Sequence, residues 1–529
     1  MERPPAALEG SEFRLAELIA ALSLATDLGN GFPMEKALRN CLLSVGICRV
    51  MGVKDRDLYD VYYLALLRFI ACTSYAYEEA TAFGGEDNSF RGDFAPLDHA
   101  RPSEMLRAAA TTLGRGTGPA RRARAIGTFL TKGKDVVAGM VAANCEVAVR
   151  LAERLRMTTG VCVSLSQMHE RWDGKGSPDH LSGEEITLPL RILLLAHVIE
   201  IFNRVHGREA ALEVARSRAG GQLDPDVAKA FLAEAPSLLD QIDSGDVWGA
   251  VLDAEPEPRE RIPLRRLDEI ARAFADFVDL KSPYMLGHSS GVAALAGAAA
   301  DTLGLADADV GALRLAALLH DLGRASVPNG IWDKRGPLSP AEWERVRLHP
   351  YYSERILSQS PALAGLASIA GMHHERLDSS GYHRAAPAAL QSVSTRILGA
   401  ADVFHALTEP RPHRMAFSPD AAARAIEAEV SAGRLDRAAS EAVLEAAGQV
   451  MRRACSPRPA GLTDREIEVL RLLARGDSKK QIAARLFISP STAHQHVAHI
   501  YAKVGISSRA AAALFAMEND LLGPPLDQK

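Results

Sequence analysis

An all-α chain of several helical domains is what this sequence predicts, and three observations predict it. Aromatic residues make up only 5% while alanine is abundant, a balance that favours packed helices over sheets. Apolar residues recur at helical spacing, as in Val310–Leu319 and Ala421–Val430, which marks amphipathic helices. No segment alternates convincingly with the period of two that a half-buried strand requires. The 529 residues suit three or four domains at roughly 150 residues each. Hydrophobic residues at 47% and charged ones at 24% exclude wholesale disorder. With a net charge of −5, any nucleic-acid-binding surface has to be local.

Compartment follows from what is missing. The six cysteines, at 41, 48, 72, 145, 162 and 455, form no Cys-x-x-Cys pair, which argues against a zinc ribbon, a redox motif or a secreted disulfide scaffold. The start, MERPPAALEGSEF, lacks the basic and apolar regions of a signal peptide. No run of about 18 apolar residues suggests a membrane span. The expectation is a cytoplasmic protein without membrane attachment.

Two charged or Pro-rich stretches, DAEPEPRERIP from Asp253 and RRACSPRPAG from Arg452, read as linkers. They divide the chain into residues 1–252, a linker 253–263, residues 264–451, a linker 452–460 and residues 461–529. The first two blocks resemble copies of one unit. HERWDGKGSP from His169 and HERLDSSGYH from His374 lie 205 residues apart, as do Arg191 and Arg396 within RILLLAHV and RILGAADV. Upstream, VMGVKDRD from Val50 and TLGLADAD from Thr302 lie 252 apart. The first copy therefore carries about 47 extra residues, around Phe83–Ala125.

The central block concentrates chemistry. Eight of the 16 histidines lie between positions 288 and 413. His320-Asp321 closes one apolar helix, His373-His374 closes another, and Asp402 sits in the apolar run RILGAADVF. An aspartate in such a run is costly to bury unless it meets a cation. Imidazole with carboxylate is a donor set for Fe, Mn or Zn rather than Ca. Five histidines (288, 320, 349, 373, 374) and Asp321 and Asp402 exceed the needs of one ion. They suit two ions, bridged by a carboxylate and sharing an activated water for attack on phosphorus.

His320-Asp321-Leu-Gly, His349-Pro350, His373-His374-Glu375, Asp378-x-x-Gly381-Tyr382, Ala401-Asp402-Val403 and Arg411-Pro412-x-Arg414 together resemble the HD-GYP family. That family belongs to the HD phosphohydrolases and hydrolyses cyclic di-GMP in bacteria. The resemblance spans about residues 270–450. It implies that His288, His320, Asp321 and Asp402 hold one divalent metal, and that Asp321 bridges to a second held by His349, His373 and His374. It also implies catalytic roles for Asp321 and Arg324, and substrate contacts from Tyr382, Arg411 and Arg414, arginine being suited to bidentate phosphate binding. Arg324 replaces the family's lysine, Ser379 its usual glycine and His383 its proline. Tyr284, one turn before His288, stands where some members carry a third-metal glutamate.

Read at the two offsets, the first copy has Lys36, Arg68, Phe69, Asn144, Met168, His169 and His197 at the seven ligand positions. A lysine and a phenylalanine cannot bind a hard cation, so no binuclear centre is expected there. The block is either a scaffold or a degenerate sensory domain whose old cleft binds a ligand or partner.

The last block reads as a DNA-binding unit. An amphipathic helix within LTDREIEVLRLLARG starts with acids and ends at Gly476,. Ser478 caps a second helix, and Ser489-Pro490 starts a third whose Ala493, Val497, Ile500 and Val504 share one face,. This is the pattern of a helix-turn-helix. Between Arg475 and Arg509, six Lys/Arg face one Asp, as phosphate binding needs. The segment LTxRExEVLxLxAxGxSxKxIAxxLxIS, with Thr492, His496 and Lys503, resembles the LuxR-type DNA-binding domain, a four-helix unit. The resemblance implies DNA contacts from Lys479, Lys480, Thr492, His494, Gln495, His496 and Lys503.

The composite expectation is two HD-superfamily helical domains, the first degenerate, followed by a LuxR-type helix-turn-helix. The implied protein is a bacterial transcriptional regulator, binding double-stranded DNA as a homodimer. Its binuclear site acts on a cyclic dinucleotide or other nucleotide, or senses one without turnover. A phosphodiesterase merely localised on DNA is the remaining alternative.

Overall fold

The computed structural model describes residues 12–83, 87–115, 118–243, 245–453 and 459–522; positions 454–458 of the expected second linker fall outside them. The described residues are helical almost throughout. The strands among them, Glu12–Arg14 and Arg261–Pro263, form one short pair. Contacts divide the chain into one unit from Glu12 to Ile262 and another from Pro263 onward.

The stretch expected as the first linker is partly anchored. Glu255 is buried, where it accepts from the Tyr63 hydroxyl at 3.0 Å and pairs with Arg14.

Each unit repeats one arrangement. In the first, Leu15–Gly29, Lys36–Met51, Asp55–Leu67 and Leu188–His206 form the central helices; in the second, Leu264–Asp279, His288–Thr302, Asp307–Leu319 and Val393–Thr408 do. The second helix of each set begins just after a left-handed residue, Glu35 or Gly287, both with φ of 76°. Its first amide groups have no intrahelical acceptor. A buried aspartate from the preceding helix satisfies one of them: Asp27 accepts from Ala37 N at 3.1 Å, and Asp279 accepts from Ser289 N at 2.9 Å.

The loop that follows His169 in the first unit and His374 in the second is built alike in both. Glu170 accepts backbone amides of Asp179 and Leu181, and Glu375 those of Arg384 and Ala386. The loop lies so close to this glutamate that a Cβ on Gly381 would collide with the Glu375 and Arg376 backbone, so only glycine fits.

The extra segment of the first unit is helical. Asp87–Phe94, Pro102–Thr112 and the start of the 36-residue helix Pro119–Arg154 enclose a small cluster of Phe83, Phe94, Ala109, Leu113 and Ala125. In the second unit the corresponding chain is shorter, so His349–Leu357 reaches the centre as a separate short helix. Gly323 permits this, since a Cβ there would strike the His349 carbonyl oxygen.

Candidate metal centre

Five helices carry the seven expected ligands. His288 opens His288–Thr302, His320 caps Asp307–Leu319 with Asp321 next, and His349 opens His349–Leu357. His373 and His374 follow Ala364–Gly371, and Asp402 lies within Val393–Thr408. All are buried except His374, which is half-buried.

The structure brings all seven together around two carboxylates. Asp321 Oδ1 lies 3.3 Å from His349 Nε2 and 3.6 Å from His373 Nε2. Its Oδ2 lies 3.5 Å from His320 Nε2 and 3.9 Å from His288 Nε2. Asp402 Oδ1 is 3.2 Å from His288 Nε2, and Oδ2 is 3.6 Å from His374 Nδ1. Each oxygen of Asp321 thus faces a different pair of imidazoles.

The rings are held in place from behind. The Nδ1 atoms of His320, His349 and His373 each meet the carbonyl three residues earlier, at 2.6 to 2.7 Å. Donating there fixes the tautomer and turns a lone pair on Nε2 inward. Burial above all, with His320 and His349 as neighbours, pushes His373 down to about 3, so it stays neutral and able to ligate. Burial alone would raise both carboxyls, but His320 and Arg324 around Asp321, and His288 and His374 around Asp402, hold them well below the usual range.

These donors fit a metal. His320 Nε2 and Asp321 Oδ1 are buried without a hydrogen-bond partner, and buried polar atoms are almost always satisfied. Two donor groups gather tightly enough to ligate, His349 with His373 and His374, and His288 with His320 and Asp321. Sequence reasoning missed a third, His288 with His405 and Glu409. Glu409 Oε2 is 2.9 Å from His288 Nδ1, and Glu409 with Asp402 overcomes burial to lift His288 to about 10. The available signal was spacing: Asp402, His405 and Glu409 recur at +3 and +7.

The last four helices are Asp464–Ala474, Lys479–Arg485, Pro490–Val504 and Arg509–Glu518. Thr463 with Glu466, and Ser478 with Gln481, form capping boxes, and Ser489 accepts from Thr492 N at 3.0 Å. Ala493, Val497 and Ile500 are buried, Thr492 and His496 half-buried, and Lys479, Lys480, His494 and Gln495 exposed. Lys479 Nζ lies 2.9 Å from His494 Nδ1. Lys503 is placed differently: its ammonium meets Glu466 Oε2 at 2.7 Å and the Gly461 carbonyl at 3.1 Å, tying the third helix to the first.

Known proteins share the fold that carries these residues. The family described as "HD domain" matches residues 138–227 and 272–439, one segment in each unit. The chain is 33% identical over 419 residues to the 3'3'-cGAMP-specific phosphodiesterase 3 of Vibrio cholerae, covering 78% of this chain and 91% of that one. The chain belongs to the HD-GYP family. The crystal structure of a cyclic GMP-AMP-specific phosphodiesterase of V. cholerae, V-cGAP3, superposes with a TM-score of 0.58 at 29% identity, covering 83% of this chain and 98% of that one. Residues 460–516 match the family "Bacterial regulatory proteins, luxR family". Over 76 residues the chain is 46% identical to the "Probable transcriptional regulatory protein NarL" of Mycobacterium tuberculosis, covering 14% of this chain and 35% of that one.

Within the HD-GYP domain, the expected substrate residues are placed unequally. Arg324 Nη1 donates to Asp321 Oδ2 at 3.2 Å, and its guanidinium lies 3.8 Å from the Trp332 ring centroid. The Tyr382 ring lies 4.7 Å from that of His374. Arg411 donates to the Tyr284 carbonyl and to Glu409. Arg414 takes a role other than the one expected. Its two terminal nitrogens donate to the carbonyls of Ala406, Leu407, Glu409 and Met415, which caps the end of Val393–Thr408, where carbonyls lack helical partners. Tyr284 lies on the turn before His288–Thr302 rather than on that helix.

In the first unit, Lys36 Nζ sits 2.9 Å from His197 Nδ1 and 3.3 Å from Glu200 Oε2. A tethered ammonium thus fills the corner that His288 occupies in the HD-GYP domain. Among the described residues, no trio of ligating His, Cys, Asp or Glu atoms gathers in this unit.

Proposed function

We propose that residues 264–451 hydrolyse a cyclic dinucleotide and that residues 461–529 bind duplex DNA, making the chain a cytoplasmic transcriptional regulator. The observation carrying the first part is Asp321, whose two oxygens face two separate imidazole pairs. His288, His320, Asp321 and Asp402 would hold one divalent Fe, Mn or Zn ion, and Asp321, His349, His373 and His374 a second. When bound, such a pair supplies an activated hydroxide and polarises the phosphoryl oxygen. Arg324, stacked on Trp332 and bonded to Asp321, directs a fixed positive charge toward the phosphate. Tyr382 covers His374 and limits water on that side. Glu409 orients both His288 and Arg411.

Purified chain loaded with Mn, Fe or Zn tests this with 3'3'-cGAMP and cyclic di-GMP. Linear dinucleotide should accumulate, and Asp321→Asn should abolish it. Tight binding without product favours the sensor reading. One observation supports such sensing: Pro283, on the turn before His288, lies against Gly476 of the LuxR-type domain, and the Glu409 charge acts on Arg475. The DNA-binding unit therefore rests beside the groups that orient His288.

DNA binding calls for a homodimer. A single module buries only roughly 600–1,000 Å², and paired half-sites are the usual remedy.

A further inference from the structure

The extra helical segment of the first unit carries a concentration of charge that the fold does not use. Between Arg101 and Lys134, eight lysines and arginines stand against one acid, Glu104, in a chain whose total charge is −5. All eight are exposed. Three are engaged within the segment: Arg101 pairs with Asp98 and Glu104, Arg115 reaches Asp93 at 3.9 Å, and Arg122 donates to the Ala110 carbonyl at 2.9 Å. Among the described residues, Arg107, Arg121, Arg124, Lys132 and Lys134 meet no acid. The segment packs around a small core of its own, so the repeated helices do not depend on this charge.

The charge is gathered on one surface. Arg122 ties the start of Pro119–Arg154 to the end of Pro102–Thr112. The end of the one helix, with Arg107 and Arg115, therefore adjoins the start of the other, with Arg121 and Arg124. From that corner Arg121, Arg124 and Lys132 run along one stripe, within about 80° of the helix circumference and about 16 Å of its length, while Ala125, Phe129 and Val136 face the core. A solvated helix surface ordinarily mixes both signs of charge; this one shows a single sign. The helix dipole opposes the placement as well, since cations are disfavoured at a helix start and the first turn holds no acid to compensate,. Such a surface gains by meeting an external row of negative charge.

We propose that this basic surface of the first unit binds the phosphate backbone of duplex DNA, adding a second, sequence-independent contact to that of the LuxR-type domain. It rests on the reading that residues 461–529 bind duplex DNA. A duplex held by that domain meets the first unit at high effective concentration, and backbone contacts need no base readout. Six of the eight cations are arginine, the side chain best shaped for phosphate oxygens. Leu106 and Leu130 are also exposed, but they lie on separate helices and are too few to seat the segment in a lipid surface.

Fluorescence polarisation of the full chain on a mixed-sequence duplex of roughly 60 base pairs, about six turns, tests this across a salt series. Arg121→Glu, Arg124→Glu and Lys132→Glu combined should weaken binding at least tenfold at low salt. They should also lower the salt slope by about two to three, at roughly 0.9 per lost phosphate contact. Acids suit a helix start, so circular dichroism should show the helices intact; glutamine at the same three positions serves if the charge-reversed chain does not fold. Lys479→Ala with Lys480→Ala should leave weaker, still salt-sensitive binding, which the three changes then remove. Unchanged affinity and slope in the charge-reversed chain, while Lys479→Ala with Lys480→Ala weakens binding, overturns this inference and leaves the DNA-binding reading standing. No binding by the wild type at low salt overturns both. Vesicles of phosphatidylglycerol and phosphatidylcholine that bind the wild type but not the charge-reversed chain, with DNA binding equal in the two, overturn it in favour of a lipid surface.

Discussion

Lys36 and His288 stand at the same corner of two copies of one unit, each the first residue of a helix whose preceding residue has a φ of 76°. Around Lys36 the charge is supplied by the chain itself, through an ammonium held by His197 and Glu200. Around His288, carboxylates and imidazoles converge with orphaned atoms between them. The fold thus holds a tethered cation at one corner and, at the other, a donor set suited to an exchangeable one.

The first prediction concerns how the ions divide. Wild-type chain should bind about two transition-metal ions. His349→Ala should lose the ion on the His373 and His374 side and keep most of the other, because His288 and His320 face the opposite oxygen of Asp321. Asp321→Ala should lose both. Elemental analysis after dialysis checks this; equal loss of both ions from His349→Ala would refute two separate donor groups.

Glu409 supplies the second. It accepts from His288 and from Arg411, so Glu409→Gln should leave the ring free to turn. Outer partners of this kind typically contribute about 10- to 100-fold in metal affinity. A competition titration with a chelator should show a loss in that range, with the fold intact by circular dichroism.

How much of this was legible depended on distance along the chain. His320-Asp321, His373-His374 and Asp402 stand out because they close or interrupt apolar helices with polar groups that burial disfavours,. His405 and Glu409 do not, since an acid and a histidine on a half-exposed helix end look like ordinary surface. Capping by Arg414 was hidden because the carbonyls it reaches are defined only once the helix end is placed. Lys503 read as a phosphate contact because it is basic and lies in the third helix. Its partner Glu466 is 37 residues away, and only packing of the two helices joins them. The duplication was legible from paired anchors.

The third prediction is a pH effect in the first unit. His169 is pushed from 6.5 down to about 3, by burial first and then by Arg68 and His99. Below pH 6.5 the unfolded chain takes up a proton that the folded chain refuses until about pH 3. Its contribution to stability is therefore present above 6.5 and lost as pH falls through that window, at up to about 1.4 kcal/mol per pH unit. Urea unfolding between pH 7.5 and 5 should show declining stability, and His169→Gln should flatten the decline.

The last prediction separates two classes of lysine in the LuxR-type domain. Lys479 and Lys480 are exposed at the start of the second helix, where a duplex phosphate can meet them. Replacing either with alanine should weaken all DNA sequences about equally and reduce the salt slope by about one. Lys503 instead holds Glu466 and the Gly461 carbonyl, and Glu466 also closes the Thr463 cap. Lys503→Ala should thus lower thermal stability, by roughly 1 kcal/mol or less for a partly exposed pair, and leave the salt slope little changed. Gln495 and His494, exposed on the third helix, should behave in a third way. Their replacement should relax preference at particular bases, at about 1–3 kcal/mol per lost base contact. Fluorescence polarisation across a salt series, on a set of single-base operator variants, distinguishes the three. A salt slope that falls by one for Lys503→Ala, with no change in melting, would move that lysine into the phosphate-contacting class.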